Sequence, residues 1–137
     1  MSFQDHFSGH AVQYAQARPD YPPELFAFLA SLPGERELAW DVGCGNGQAA
    51  LALTAHFERV IATDASAAQV GQAEPHRAID YRVEPAELPT LPLHSVDLIT
   101  IAQALHWFDI EAFYAVARCV LRHDGVIAAW CYGISRV

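Results

Sequence analysis

Two spacings of apolar residues alternate along the chain, and their alternation predicts the element order. Leu25, Phe28, Leu29 and Leu32 recur at i, i+3, i+4 and i+7, which predicts a helix with one apolar face. Pro22-Pro23-Glu24 opens it, where the missing proline N–H removes no helical bond, and Pro33-Gly34 closes it. Residues 38–42 (Leu-Ala-Trp-Asp-Val) read as a short buried strand running into glycines, and residues 48–57 as an alanine- and leucine-rich helix. Residues 60–63 predict a second strand that ends at Asp64. Ser66 can cap a helix reaching Ala73, closed by Pro75.

Tyr81-Arg82-Val83 predicts a third strand, and the three prolines within residues 84–92 leave room for one helical turn at most. Residues 96–102 give the clearest strand. Asp109 is placed to cap a helix whose Phe113, Val116, Ala117 and Val120 again follow i, i+3, i+4, i+7. His123-Asp124-Gly125 is expected to turn into a last strand at residues 126–130. Strands that alternate with helices call for a parallel sheet covered on both faces. The expected fold is therefore α/β: a doubly wound, Rossmann-like, mainly parallel sheet of five strands, with ligands at the strands' carboxyl ends. Residues 1–21 are polar and aromatic without periodicity and are expected to form an arm over the cofactor site; residues 22–137 form the core.

Composition narrows the function. The 137 residues are 53% hydrophobic, enough for a real core, yet no run approaches the roughly 20 apolar residues that span a bilayer. The first residues lack the basic start and apolar stretch of a signal peptide, so a cytoplasmic location is expected. Net charge is -8, and all eight bases are arginine. An acidic chain without a basic cluster is poorly suited to a phosphate backbone, so small-molecule chemistry is favoured over nucleic acid or membrane. Cys44, Cys119 and Cys131 form no CxxC pair and read as free thiols.

The sharpest motif is Asp41-Val42-Gly43-Cys44-Gly45-Asn46-Gly47, between a strand and a helix. Glycines in such a loop permit positive φ and let a ligand approach bare backbone. The dinucleotide fingerprint is G-x-G-x-x-G, whereas this loop is G-x-G-x-G with Asp41 two residues before its first glycine. A carboxylate there repels phosphate but suits an ammonium group. S-adenosylmethionine carries an ammonium and a sulfonium and no phosphate, so the loop fits it better than NAD. Asp64, about twenty residues on, can accept both ribose hydroxyls, a feature shared with NAD enzymes; its alternative use is as a helix-capping aspartate near Ser66.

These residues resemble the class I S-adenosylmethionine-dependent methyltransferases of the "methyltransferase type 11" group. Residues 41–47 resemble the family's first motif, Asp64 its ribose-binding acid, and Ala86-Glu87-Leu88-Pro89 its adenine segment, with Pro85 in place of an aspartate. Asp97-Leu98-Ile99 with residues 103–107 resembles the fourth motif, and residues 121–126 the turn before the fifth strand, with Asp124 in a glycine's place. Tyr14 to Pro22 and Gln103 to Asp109 are similar to the trans-aconitate-methyltransferase-like branch.

The resemblance implies a cofactor, S-adenosyl-L-methionine, held by Tyr14, Arg18, Asp41, Gly43, Cys44, Gly45, Asp64, Ala65, Ala86, Glu87, Gln103 and Ala104. Arg18 is the candidate for its carboxylate, since guanidinium binds carboxylate bidentately. His106 is the candidate catalytic base for an oxygen nucleophile, or else lines the pocket beside Trp107. The remaining histidines show no metal-ligand spacing, and no metal is expected. The implied partner is a small-molecule methyl acceptor; a carboxylate acceptor would need no base.

The family's sheet continues past its fifth strand into a C-terminal hairpin. The chain is expected to be truncated before that hairpin, leaving the fifth strand as an edge open to self-association. Two alternatives stay open: a cofactor-binding protein or partner subunit without turnover, and an NAD-dependent Rossmann enzyme.

Overall fold

The computed structural model describes residues 22–102 and 109–130. Among these, nine elements alternate: α1 (Pro23–Ala30), β1 (Leu38–Val42), α2 (Gln48–Leu53), β2 (Arg59–Asp64), α3 (Ala67–Gly71), β3 (Ile79–Val83), β4 (Val96–Ala102), α4 (Ile110–Val120) and β5 (Leu121–Trp130). The strands form one sheet in the order β3-β2-β1-β4-β5, every pair parallel. The expected α/β doubly wound architecture is the one observed. Chain order reverses direction between β1 and β4, the crevice where open parallel sheets bind ligands.

The sheet divides two cores. On one face Ala39, Val60, Ala62 and Leu98 pack with Phe26 and Leu29 of α1 and Ala49, Ala50 and Leu53 of α2. On the other, Trp40, Val42, Ile61, Ile99 and Ile101 pack with Phe113, Ala117 and Val120 of α4. Because neighbours along a strand point to opposite faces, burial of β1 and β4 on both sides explains their nearly unbroken apolar runs. Trp40 and Phe113 meet with ring centroids 5.9 Å apart and planes tilted by 54°, a favourable aromatic arrangement.

The caps behave as the residue types predict. Ser66 Oγ accepts from the Gln69 N–H at 3.2 Å, and Asp109 Oδ1 from the Ala112 N–H at 3.1 Å. Three expectations need correction. In α1 the buried residues are Phe26, Leu29 and Ala30, while Phe28 and Leu32 are 60% and 45% exposed. Two apolar stripes overlap on this helix, each with one phenylalanine, and the stripe that faces the core is the one carrying Phe26 and Ala30. The second and third helices are shorter than expected, ending at Leu53 and Gly71, because Thr54 and Gln72 close them with tighter turns.

The third correction concerns β5, which begins at Leu121, so residues 123–125 lie inside the strand and not in a turn before it. Val96 pairs with Leu121 and Leu98 with Val126, so Asp97 alone faces residues 122–125 in a wide bulge. Gly125 is required there: a Cβ would stand 2.7 Å from Leu121 Cδ2 and 3.0 Å from the Val96 carbonyl oxygen. Within the bulge, Arg122 reaches back to β1. Asp97, buried at the start of β4, accepts from the Glu37 and Leu38 N–H groups at 2.9 and 3.0 Å. Arg122 Nε stands 3.2 Å from Asp97 Oδ1 in an ion pair without hydrogen-bond alignment, and its Nη2 donates to Glu37 at 2.6 Å. This network ties β1, β4 and β5 together at their amino ends, opposite the glycine loop.

Candidate cofactor-binding site

The loop leaving β1 is built from backbone in unusual conformations. Gly43, Gly45 and Gly47 adopt φ of 65°, 56° and 86°, the left-handed region that favours glycine. Gly47 caps α2 with no side-chain bond of its own, and its N–H donates to the Cys44 carbonyl at 2.9 Å. The Cys44 N–H donates to Thr63 of β2 at 2.8 Å. The loop is thus folded back against the second strand, and its glycines leave it without side-chain bulk at three positions.

Asp64 holds it there. Its Oδ2 accepts from the Gly45 N–H and its Oδ1 from the Ser66 N–H, both at 2.8 Å. Of the uses expected of Asp64, the bond from the Ser66 N–H is the brace at the start of α3, and the same side chain also anchors the glycine loop. A carboxylate offers about four lone-pair sites, so acceptor capacity remains for a ligand. Ala65, next along the chain, is exposed.

Asp41 sits beneath the loop as the penultimate residue of β1, 1% exposed. Its register partner on β4 is Thr100, whose hydroxyl donates to Oδ1 at 2.9 Å. Oδ2 is buried without a hydrogen-bond partner among the described residues. Burial, with Asp64 adding repulsion and Thr100 opposing both, raises the Asp41 pKa to about 7. Among the described residues no cation faces this group; a positive charge beside it would favour its ionised form. Burial and the negative charges of Asp41 and Asp64 also push the Cys44 thiol well above its ordinary range. Cys44 is therefore a thiol of low reactivity in the loop wall, contributing backbone and packing.

The adenine segment splits in two. Ala86 is buried in the core against α4, so only its backbone can face a ligand. Glu87 Oε2 accepts from the Asp109 N–H at 2.8 Å, linking this segment to the start of α4. Arg82 steadies the segment from β3: Nε and Nη2 donate to Asp80, and Nη1 donates to the Thr90 hydroxyl at 2.9 Å. The structure thus brings together Asp41, Gly43, Cys44, Gly45 and Asp64. Tyr14, Arg18, Gln103, Ala104 and His106, as well as Trp107, lie outside the described residues.

Sequence reasoning passed over two residues of this site. Gly47 belongs to the motif but was not assigned a role, although its φ of 86° marks it as firmly as Gly43 or Gly45. Tyr81 packs against Gly47 from β3, and no local signal announces a contact between residues so far apart in the chain.

Comparison with known proteins agrees with this geometry. The methyltransferase domain model matches residues 40–129. A Dictyostelium discoideum protein bearing a methyltransferase name is 40% identical over 136 residues, covering 98% of this chain and 52% of its own length. A Saccharomyces cerevisiae protein named for S-adenosylmethionine-dependent methyl transfer is 32% identical over 131 residues, covering 89% of this chain and 45% of that protein. A solved structure from Anaeromyxobacter dehalogenans, named for a type II methyltransferase, shares 48% identity at a TM-score of 0.82. That match covers 85% of this chain and 50% of that one. The chain spans about half the length of these relatives. With its sheet order, its glycine loop and these matches, the chain belongs to the methyltransferase domain family.

Proposed function

We propose that this chain forms the S-adenosylmethionine-binding core of an enzyme that transfers a methyl group to a small molecule. The observation that carries this reading is Asp41 Oδ2: a buried carboxylate oxygen without a partner among the described residues, under a loop of bare backbone. A phosphate-bearing dinucleotide would add negative charge beside Asp41, whereas an aminoacyl sulfonium ligand brings an ammonium group to it. Burial of an unpaired charge is expensive unless something pairs it.

The residues present fit the cofactor. Asp41 would hold its ammonium end, directly or through water, Asp64 its ribose hydroxyls, and the Ala86-Glu87 backbone its adenine. Arg18 is assigned to the carboxylate, with Tyr14 beside it, and Gln103 and Ala104 to the wall after β4. When bound, the cofactor supplies a methyl group activated by positive sulfur. The chain positions the acceptor in line with that methyl at about 3 Å and excludes water, which accounts for much of the acceleration in such displacements.

His106 is assigned as proton acceptor where the nucleophile is a hydroxyl. A carboxylate acceptor, suggested by the similarity to the trans-aconitate-methyltransferase-like branch, is already ionised and needs no base. The expected location is the cytoplasm; among the described residues no helix is long and apolar enough to cross a membrane.

Calorimetric titration of the purified chain with S-adenosylhomocysteine, with NAD as control, tests the reading. Binding that Asp64→Ala and Arg18→Ala each weaken, with no heat from NAD, is the expected result. A folded chain that binds NAD, or neither ligand, overturns it.

A further inference from the structure

We propose that Tyr81 is a positioning residue for the glycine loop: its ring, packed against Gly47, sets where the loop stands and thereby the affinity for cofactor. The affinity half of this inference rests on the function proposed above; the positional half does not.

Tyr81 lies on β3, in register with Ala62 of β2, and its ring is half-buried against the core that holds α2. The contact with Gly47 is tight. A Cβ on Gly47 would lie 2.7 Å from the Tyr81 hydroxyl oxygen and 3.0 Å from Cε1. The ring therefore occupies the space a side chain would need, while the backbone already sits at a φ of 86°. On its far side the Tyr81 hydroxyl donates to the Glu74 carbonyl at 2.9 Å. That bond pins the ring from behind, so the contact is held and not a passing rotamer.

Gly47 is a leverage point. Its N–H closes the turn onto Cys44, and its carbonyl accepts the Leu51 N–H at 2.9 Å, the first bond of α2. A displacement of Gly47 moves both the loop and the helix start. Burial, followed by the negative charge of neighbouring groups, pushes the Tyr81 hydroxyl up to about 12, so it remains a neutral donor at physiological pH. Tyr81 acts on the ligand through the loop and not by contact with reacting atoms.

The test is a double-mutant cycle on S-adenosylhomocysteine affinity, using Gly47→Ala, Tyr81→Phe and the pair, with thermal melts recorded for each. Tyr81→Phe removes the atom that the alanine methyl would meet at 2.7 Å. Gly47→Ala is expected to weaken binding by about threefold less in the Tyr81→Phe background than in wild type, a coupling ordinary for residues in contact. Equal losses in both backgrounds overturn the proposed control of affinity.

A second arm reads the loop without cofactor: iodoacetamide alkylation of Cys44, resolved by peptide mass spectrometry, with exposed Cys119 as the reference thiol. Tyr81→Leu is expected to speed Cys44 alkylation severalfold, and Tyr81→Phe, which keeps the ring but loses its bond to the Glu74 carbonyl, to speed it less. An unchanged Cys44 rate in a folded Tyr81→Leu chain overturns the positional role. Failure of wild type to bind S-adenosylhomocysteine would sink the cofactor reading alone, and the alkylation arm would still decide where Tyr81 stands.

Discussion

Asp41 makes a quantitative demand on stability. Its pKa rises from 3.8 to about 7 on folding. In the unfolded chain the carboxyl loses its proton near pH 4, while in the native protein it keeps that proton until about pH 7. Over that interval the native state binds more protons, so stability falls as pH rises. The full contribution is present below pH 3.8 and is lost by the time pH passes 7. From pH 5 to pH 8 the loss amounts to about 3 kcal/mol, taking 1.36 kcal/mol for each pH unit below the native pKa. For a chain of this size that corresponds to roughly 10 °C in melting temperature.

Asp41→Asn removes the titration but keeps an acceptor for Thr100. Its amide group introduces a fixed offset, because the new N–H bonds also need partners. That offset is independent of pH, so the diagnostic quantity is the slope of the difference between variant and wild type. Urea unfolding of both proteins at intervals from pH 5 to 8 measures it. The variant is expected to gain on wild type by about 3 kcal/mol across the range, with other titrating groups cancelling in the difference. Parallel profiles would refute the reasoning and mean that Asp41 ionises natively at an ordinary pH. The same variant is expected to lose affinity for S-adenosylhomocysteine, since the charge it removes is the one a ligand cation would pair.

Two further substitutions probe the frame. Phe113→Ala is expected to lower unfolding free energy by about 3 to 5 kcal/mol, because Phe113 is fully buried against Trp40; urea titration at fixed pH checks it, and a loss under 1 kcal/mol would show that the α4 face is not packed as described. Asp97→Ala strips the acceptor from two backbone N–H groups and the ion-pair partner from Arg122. A loss of about 3 kcal/mol or more is expected, mostly restored in Asp97→Asn, and equal melting temperatures for the two variants would argue against the backbone bonds as the cause.

Much of this was legible because the signals were local. Alternating periods announced the element order, Ser66 and Asp109 announced their helices, and the glycine spacing announced the loop. Each depends on residues within a few positions of one another. The parts that stayed hidden depend on residues that meet only after the sheet forms. Nothing near Tyr81 indicates that its ring will close on Gly47, and nothing near Asp97 indicates two backbone donors from residues 37 and 38. The bulge in β5 was concealed because His123-Asp124-Gly125 has the composition of a turn. Only the pairing of both its flanks with β4 shows that the strand runs through it. On α1, Leu25-Phe26-Ala27-Phe28-Leu29-Ala30 supports two apolar stripes, and periodicity alone had no means of choosing between them.

The distribution of these features along the strands suggests why such a site can exist in a small domain. At the carboxyl end of β1 the chain gathers arrangements that oppose folding: three glycines at positive φ and a buried carboxylate with one oxygen unpaired among the described residues. At the amino end it gathers arrangements that favour it, with Asp97 joining β1 and β4 and Arg122 drawing in β5. Between them, Trp40 in the middle of β1 is fully buried and donates its indole N–H to Thr63 at 3.0 Å. The strand is therefore fixed at one end and through its centre, and under the proposed function its other end is held in a conformation that a ligand completes. On this view a cationic ligand at Asp41 should stabilise the fold more at pH 8 than at pH 5, because only the ionised carboxylate has an unmet interaction to satisfy.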